Sequence, residues 1–392
     1  MAGIYFHIPF CKQACHYCDF HFSTSLKYKS EMLHAMHQEI GIQAHYLVGQ
    51  SVETLYFGGG TPSLLAADDI QYLIDLVAEH FHVHPNAEIT IEANPDDLDI
   101  TKVNALKNTS INRFSIGIQS FFEEDLRWMN RAHNAEEAQH AIQRVQDAGY
   151  GNITSDLIYG YPLLSADKWQ YNIDKLLELE IPHISAYSMT VEPHTALAAF
   201  IHMGKQPPMD EAASVTQFEY LMDMLATAGY THYEISNFAK PGNYARHNSN
   251  YWKGVPYLGI GPSAHSFDGS TRQWNVNNNA KYIKGLHIGK LSYEKETLSE
   301  QDKLNEYIMT TLRTIWGLDL DYVKENFGEK NSKMLYASLQ SFATSGEVFF
   351  ENQKVMLTRK GKLMADHIAA ALFVENEAVN CSSYHWQPSD LR

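Results

Sequence analysis

Residues 3–18 read GIYFHIPFCKQACHYC, so an apolar strand predicted over 3–9 leads straight into a loop that holds three of the four cysteines. In parallel α/β folds, functional groups collect at the carboxyl ends of the strands, which is where this loop begins. Cys11, Cys15 and Cys18 are spaced x3 then x2. Three such thiolates can hold three corners of a cubane [4Fe-4S] cluster. The fourth iron would have no protein ligand, so the spacing predicts a cluster that binds a small molecule.

The cysteine triplet allows two interpretations other than the cluster. A structural zinc site needs four ligands, and His16 or His21 could supply the fourth. A disulfide framework is disfavoured because a chain of 392 residues with four cysteines does not need one in order to fold. Cys381 lies far from the triplet and has no predicted role.

The composition predicts a globular, acidic protein. Hydrophobic residues make up 44% of the chain and charged residues 19%, which allows a sizeable core without broad disorder. The formal net charge is −16, and such a surface repels phosphate backbones, so no nucleic-acid binding is expected. We expect no secretory signal and no membrane span. Reduced thiols beside an iron site favour a cytoplasmic location, and peripheral membrane contact stays open.

The first part of the chain alternates strands and helices. Strands are predicted over 3–9, 52–57, 87–92, 113–119, 153–159 and 183–190. Helices are predicted over 29–47, 68–81, 101–107, 136–148, 169–179 and 211–228. Strands separated by helices of this length form a parallel sheet with right-handed crossovers. Six such units with functional residues at the strand ends predict a partial (β/α)6 barrel, with a doubly wound sheet as the alternative.

The remaining chain changes pattern twice. Residues 233–239 have the pattern of one more strand, whereas 240–279 are rich in Gly, Asn and Pro with little periodicity, which predicts an irregular segment. The elements predicted beyond it are helices over 301–315, 321–326 and 332–344, a hairpin over 348–357 and a helix over 362–372. We therefore expect a barrel over 1–235, an irregular segment over 236–290 and a smaller, winged-helix-like α+β domain over 291–392.

Polar groups collect near the ends of the predicted strands. Glu92 and Gln119 end the third and fourth strands, and Asp156 lies on the fifth. The glycine run 58–60 follows the second strand and lets backbone groups approach a ligand closely. With Arg131, these groups offer both donors and acceptors. Such a lining suits a zwitterionic ligand with an amine, a carboxylate and a ribose.

Several motifs together resemble the radical S-adenosylmethionine (SAM) superfamily, and within it the coproporphyrinogen dehydrogenase-like branch. They are the cysteine triplet after Tyr5-x-His7-x-Pro9-Phe10, YFGGGTPS at 56–63, IEANP at 91–95, SIGIQS at 115–120, Asn130-Arg131 and DLIYG at 156–160. The resemblance implies SAM bound to the open iron of a [4Fe-4S] cluster, and an electron donor such as a flavodoxin or ferredoxin. It implies SAM contacts from Tyr5, Gly59, Gly60, Thr61, Glu92, Gln119, Arg131 and Asp156.

Two features distinguish between the activities of that branch. Oxygen-independent coproporphyrinogen III dehydrogenases resemble one another in a cysteine two positions after the third cluster ligand, where this chain has Phe20. The HemW-type haem chaperones share His-Asn-x-x-Tyr-Trp, which is present here at 247–252. The chain thus resembles the chaperones, which implies haem as a further cofactor and haem-requiring apoproteins as partners. The dehydrogenase, which decarboxylates coproporphyrinogen III, is the alternative activity.

The chemistry of the His-Asn-x-x-Tyr-Trp element agrees with a haem contact. A neutral imidazole is a good axial ligand for haem iron, which favours His247, and His265 is a second candidate. Tyr251 and Trp252 could pack on the face of a porphyrin. Gene regulation through the C-terminal domain is a third hypothesis, which the acidic composition disfavours.

Overall fold

The computed structural model describes residues 1–374, and Cys381 lies outside the described residues. The first elements, in chain order, are β1 (Ala2–Ile8), α1 (Lys29–Ile42), β2 (Val52–Gly59), a 3-10 turn (Pro62–Leu64), α2 (Ala67–His80), β3 (Val83–Ala93), a 3-10 turn (Pro95–Asp97), α3 (Ile100–Lys107), β4 (Arg113–Gln119), α4 (Glu123–Trp128), α5 (Ala135–Asp147), β5 (Ile153–Tyr159), α6 (Ala166–Glu178), β6 (His183–Ser188), α7 (Ala196–His202) and α8 (Glu211–Thr227).

The remaining elements extend the large sheet and then build a smaller unit. They are β7 (Thr231–Glu234), β8 (Asn237–Ala239), α9 (Arg246–Trp252), β9 (Tyr257–Ile260), β10 (His265–Phe267), β11 (Thr271–Asn275), α10 (Asn279–His287), β12 (Tyr293–Thr297), α11 (Glu300–Leu312), β13 (Leu318–Asp319), α12 (Leu320–Phe327), α13 (Glu329–Thr344), β14 (Val348–Glu351), β15 (Lys354–Leu357), α14 (Arg359–Lys362) and α15 (Ala365–Ala371). Within the described residues, no helix combines the length and apolarity that a bilayer crossing requires.

Over residues 1–374, the fold is built on a sheet of twelve strands, in the order β12-β11-β10-β9-β1-β2-β3-β4-β5-β6-β8-β7. Strands β1 to β6 are parallel neighbours in sequence order. A doubly wound sheet would reverse its strand order at a switch point, and this sheet does not. The predicted partial (β/α)6 barrel is therefore confirmed, and the doubly wound alternative is wrong.

The barrel strands are buried over most of their length, as parallel strands covered by helices must be. Six of the seven residues of β1 and all seven of β4 are buried. Phe6 and Phe57 stack in the core with ring centroids 4.6 Å apart. The helices that cover the sheet begin at capping residues. Asn134 and Glu137 form a capping box on α5, and Ser165 caps α6.

The single strand predicted over 233–239 is wrong, because this segment holds the end of β7, a turn and β8. The two strands pair antiparallel. A carboxylate oxygen of Glu234 accepts hydrogen bonds from Ser236 N at 3.1 Å and Asn237 Nδ2 at 2.6 Å, which closes the turn. A hydropathy pattern cannot show such a side-chain bond, so the turn was missed.

The irregular segment predicted over 240–279 is also wrong, because it contains α9 and three strands, β9 to β11. Strand β9 pairs parallel with β1, and β10 to β12 continue the sheet antiparallel. These strands have three to five residues, too few to show a period. Since β12 pairs with β11, the large sheet continues past residue 291, where the C-terminal domain was predicted to begin.

The C-terminal region has its own small sheet, in the order β13-β15-β14, and its own apolar core from Leu304 to Leu372. Its order of helix, strand, two helices and a hairpin confirms the predicted winged-helix-like arrangement. The helix predicted over 362–372 is two short helices, α14 and α15. The region contacts the barrel through Arg313, whose Nη2 lies 3.3 Å from Glu234 Oε1.

Candidate functional site

The cysteine loop leaves β1 and is closed by a short backbone pairing. Cys11 N donates to Ser23 O at 3.1 Å, and Ser23 N donates to Pro9 O at 2.9 Å. Between these bonds Cys11, Cys15 and Cys18 are partly buried free thiols. Backbone hydrogen bonds thus close the loop at the carboxyl end of β1, where a barrel places its reactive groups.

The loop rests on the polypeptide after α4 and on α7. His16 N donates to Met129 O at 3.0 Å, and Asn130 Nδ2 donates to Ala14 O at 2.7 Å. Leu197 N donates to His16 O at 2.8 Å. The segment around the predicted contact Arg131 therefore supports the loop directly.

The alternative zinc site does not fit the side-chain arrangement. Two thiolates on one zinc ion lie within about 4 Å of each other. Within residues 1–374, no three Cys, His, Asp or Glu side chains are close enough together to hold a single metal ion. His16 Nδ1 donates to Trp128 O at 2.9 Å, and His21 Nε2 donates to Asn279 Oδ1 at 2.7 Å. Both histidines that could supply a fourth zinc ligand are therefore hydrogen-bonded to other groups.

The electrostatics of the thiols suit ligands of a positively charged centre. Burial raises the pKa of Cys11 to about 11 and that of Cys18 to about 12. Arg131 Nη1 lies 3.4 Å from Cys15 Sγ, while its Nη2 donates to Asn94 Oδ1 at 2.7 Å and to Gly117 O at 2.9 Å. Thiolates must lose their protons to bind metal, and iron supplies the charge that makes this favourable.

The glycine run packs against the backbone just before Cys11. A Cβ atom on Gly60 would lie 2.6 Å from Phe10 O, and Gly59 has φ +99°. Gly60 N donates to Ile8 O at 2.9 Å and Thr61 N donates to Phe10 O at 2.6 Å. These amides are therefore already bonded, and the Thr61 hydroxyl accepts a hydrogen bond from Asn94 Nδ2 at 3.2 Å and also bonds to Cys11.

Two carboxyl groups line the barrel interior near this run. Burial raises the pKa of Glu92 to about 7, and burial together with the charge of Glu92 raises that of Asp156 to about 7. Tyr56 OH donates to Glu92 Oε1 at 2.8 Å. Gln119, at the end of β4 with φ +66°, has a buried Oε1 that accepts no hydrogen bond. These acceptors fit the amine and hydroxyl groups of SAM, and Arg131 fits its carboxylate.

Aromatic rings continue from these carboxyl groups to α9. Tyr5 OH donates to His7 Nδ1 at 3.3 Å, and the Tyr5 ring stacks on Tyr56 with centroids 6.1 Å apart. Tyr56 stacks on His247 at 5.0 Å and 23°. Inward-facing residues of β2 recur at every second position, Thr54, Tyr56 and Gly58, and this alternation could have identified Tyr56 from the sequence.

Among the predicted haem contacts, His247 and Tyr251 bond to each other, whereas Trp252 and His265 contact other groups. His247 is 2% exposed, and its Nδ1 and Nε2 lie 2.8 Å from Thr54 Oγ1 and from Tyr251 OH. Trp252 instead faces the guanidinium of Arg313, 5.4 Å from the ring centroid. His265 begins β10 and stacks on Trp274. Haem ligation by His247 would require the release of one of its two hydrogen bonds, and the haem site stays a prediction.

Buried ionisable groups predict a steep loss of stability in acid. Burial lowers the pKa of five histidines: His7 to about 4, His133, His232 and His247 to about 3, and His183 well below 6.5. Unfolding restores values near 6.5, so below that pH the unfolded chain binds more protons and stability falls. Three carboxyls whose pKa is raised to about 7 oppose this between about pH 4.5 and 7: Glu39, Glu92 and Asp156.

Five histidines outnumber three carboxyls, so near pH 5 the unfolded chain binds about two more protons than the folded one. We therefore expect the free energy of unfolding of the cluster-free protein to fall by roughly 3 kcal/mol per pH unit near pH 5. Urea unfolding followed by tryptophan fluorescence at pH 5 and pH 7 measures it. Equal midpoints at the two pH values would contradict the expectation.

Comparison with known proteins agrees with the sequence motifs. The family model of the Radical SAM superfamily matches residues 5–176. The chain is 31% identical over 364 residues to "Heme chaperone HemW" of Lactococcus lactis subsp. lactis (strain IL1403), covering 93% of this chain and 95% of that protein. It is 34% identical over 326 residues to the protein of the same name from Escherichia coli (strain K12), covering 80% and 82%.

A solved structure supports the fold over almost the whole chain. Coproporphyrinogen III oxidase (HemN) from Escherichia coli, a radical SAM enzyme, superposes with a TM-score of 0.82 at 24% identity, covering 95% of this chain and 90% of that chain. At this identity the likeness shows the fold alone. The resemblance found in the motifs is confirmed by the relatives, and the chain belongs to the HemW family within the radical SAM superfamily.

Proposed function

We propose that this protein is a haem chaperone that binds a [4Fe-4S] cluster, SAM and haem and delivers haem to apoproteins. The observation that carries the proposal is the identity to proteins named HemW over more than nine-tenths of the chain. The cysteine loop and the lining of Glu92, Gln119, Arg131 and Asp156 support the cofactor part. The element at 247–252 supports the haem part.

The residues of the chain would divide the work as follows. Cys11, Cys15 and Cys18 would hold three irons, leaving the fourth to the amine and carboxylate of SAM. Cluster and SAM together supply one-electron chemistry at a carbon–sulfur bond. Glu92 and Arg131 would orient the charged end of SAM, and the closed cysteine loop would keep water from it.

The proposed function also needs an electron donor, proteins that receive the haem, and a location. A flavodoxin or ferredoxin would supply electrons, haem-requiring apoproteins would receive the haem, and the location would be the cytoplasm. Peripheral contact with a membrane is compatible with these roles. These proposals rest on the sequence motifs and on the cysteine triplet.

Phe20 separates the proposal from the dehydrogenase activity. Its side chain is 38% exposed in the cysteine loop, at the position where the dehydrogenases carry a cysteine. We expect the anaerobically reconstituted protein to leave coproporphyrinogen III unchanged over many hours. Steady formation of protoporphyrinogen IX would overturn the chaperone as the main role.

Haem titration tests the proposed function directly. We expect stoichiometric haem binding by the reconstituted protein, followed in the Soret band with and without the cluster. His247→Ala should reduce that binding, while His140→Ala, an exposed histidine on α5, should not. No binding by the wild type would reject the function, whereas unchanged binding by His247→Ala would reject only the site.

A further inference from the structure

The hydroxyl group of Tyr56 is the link between the SAM lining and the rest of the barrel. Tyr56 lies on β2, is 7% exposed, and donates to Glu92 Oε1 at 2.8 Å. Glu92 also accepts from Gly59 N, which belongs to the glycine run. The orientation of the Glu92 carboxylate thus depends on two donors, one of which is a side chain that can rotate.

His247 holds the ring of that side chain. The imidazole stacks on Tyr56 at 5.0 Å and 23°, and more distantly on Tyr5 at 6.5 Å and 27°. Tyr5 lies 6.1 Å from Tyr56, so the three ring centroids form a triangle in which each ring lies beside the other two. The imidazole is the nearer of the two neighbours of Tyr56, and it limits rotation of the Tyr56 ring away from Glu92.

The imidazole itself is fixed from three sides. Its ring nitrogens bond to Thr54 on β2 and to Tyr251, one turn later on α9. Its backbone N donates to Glu88 Oε1 at 3.0 Å, so a carboxylate on β3 lies at the N-terminus of α9. Glu88 Oε2 in turn lies 3.9 Å from Arg113 Nε on β4. Thr54, Glu88 and Arg113 are buried and Tyr251 is partly buried, so little space surrounds the imidazole.

We propose that His247 is a positioning residue of the SAM site, which holds Tyr56 so that its hydroxyl aims Glu92 at the amine of SAM. The proposal rests on the SAM-binding part of the proposed function and not on haem delivery. It gives His247 a task in the conformation described here, in which both ring nitrogens are already bonded. Helix α9 then packs, through His247, behind the residues that line the SAM pocket.

A double-mutant cycle on SAM binding tests this role. The variants are Tyr56→Phe, His247→Ala, their combination, and His247→Phe, which keeps a ring on Tyr56 without its nitrogens. Asn250→Ala, on the same helix outside the stack, is the control. The dissociation constant of SAM is measured with labelled SAM on anaerobically reconstituted protein. The electron paramagnetic resonance spectrum of the reduced cluster, with and without SAM, is the second measurement.

Loss of the bond to Glu92 should weaken SAM binding about tenfold in Tyr56→Phe, because a hydrogen bond to a charged group is among the stronger ones. His247→Ala should weaken it about fivefold, and the double variant should bind no worse than Tyr56→Phe alone. His247→Phe should restore affinity to within about threefold of the wild type, and with it the spectral response to SAM. Asn250→Ala should match the wild type.

Two results would overturn the proposal. One is unchanged affinity in His247→Ala while Tyr56→Phe is weakened. The other is multiplication of the two single effects in the double variant, which would show that His247 does not act through Tyr56. His247→Phe also separates this role from haem ligation, since it should keep SAM and lose any iron ligand. A wild type that binds haem but not SAM would reject this inference and leave haem delivery standing.

Discussion

Cys15→Ser is expected to abolish the [4Fe-4S] cluster, whereas Cys381→Ser leaves it intact. A serine hydroxyl is a far poorer iron ligand than a thiolate, and the loop offers three thiols for three irons. With two thiolates left, the cluster should not assemble. Iron and sulfide content after anaerobic reconstitution should fall to near zero, and the broad charge-transfer absorption should disappear.

Loss of the cluster should also remove SAM binding, because the open iron is its principal anchor. Cys381→Ser is the matched control, since it makes the same replacement at the one cysteine outside the loop. Normal iron content in Cys15→Ser would reject the cluster assignment. Equal loss in Cys381→Ser would instead make the fourth cysteine a ligand and close the open iron.

Glu39→Leu is expected to lower the free energy of unfolding by about 3–5 kcal/mol, which is a large share of the stability of a typical domain. The Glu39 side chain on α1 is fully buried. It accepts hydrogen bonds from Tyr282 OH, from Asn275 Nδ2 at 2.6 Å and from Gly261 N at 2.8 Å. Leucine fills the space but leaves three buried donors without a partner.

Glu39→Gln keeps most of these acceptors and should cost about 1–2 kcal/mol. Burial raises the pKa of Glu39 to about 7, so its contribution is complete below about pH 4.5 and is lost as the pH rises through 7. The difference between wild type and Glu39→Gln should therefore be larger at pH 5 than at pH 8. Urea unfolding of both proteins measures it, and a loss below 1 kcal/mol in Glu39→Leu would contradict the assigned role.

Glu39 also explains why part of the fold could not be predicted. Strands β4 and β5 have the predicted bounds, because each is a run of seven almost entirely buried residues that includes several Ile, Phe or Leu side chains. Strands β9 to β11 were missed, because they exist through pairing with β1 and through a carboxylate more than 200 residues away. A short segment whose order depends on distant partners shows no period of its own.

The candidate site divides in the same way. The cysteines and the strand-end groups Glu92 and Gln119 could be proposed from the sequence, because one motif contains each of them, and their roles stay predictions. Tyr56 was quoted in a motif but not given a contact, and Thr54 and Glu88 were missed. Their importance comes from which face of a strand meets α9, and only the assembled barrel determines that. The contacts of His247 with Thr54, Tyr56 and Glu88 likewise form only when the barrel has folded.

The two edge strands of the twelve-stranded sheet, β12 and β7, affect how readily this protein aggregates at high concentration. At one edge, β12 reads Tyr-Glu-Lys-Glu-Thr, and four of its five side chains are exposed. At the other, the residues after β7 bond to the C-terminal region, with Ile235 N donating to Arg313 O at 3.1 Å. A foreign strand would meet closely spaced charges at the first edge and a covering segment at the second. An open sheet of this size can therefore remain dispersed in a crowded cell without seeding fibrils.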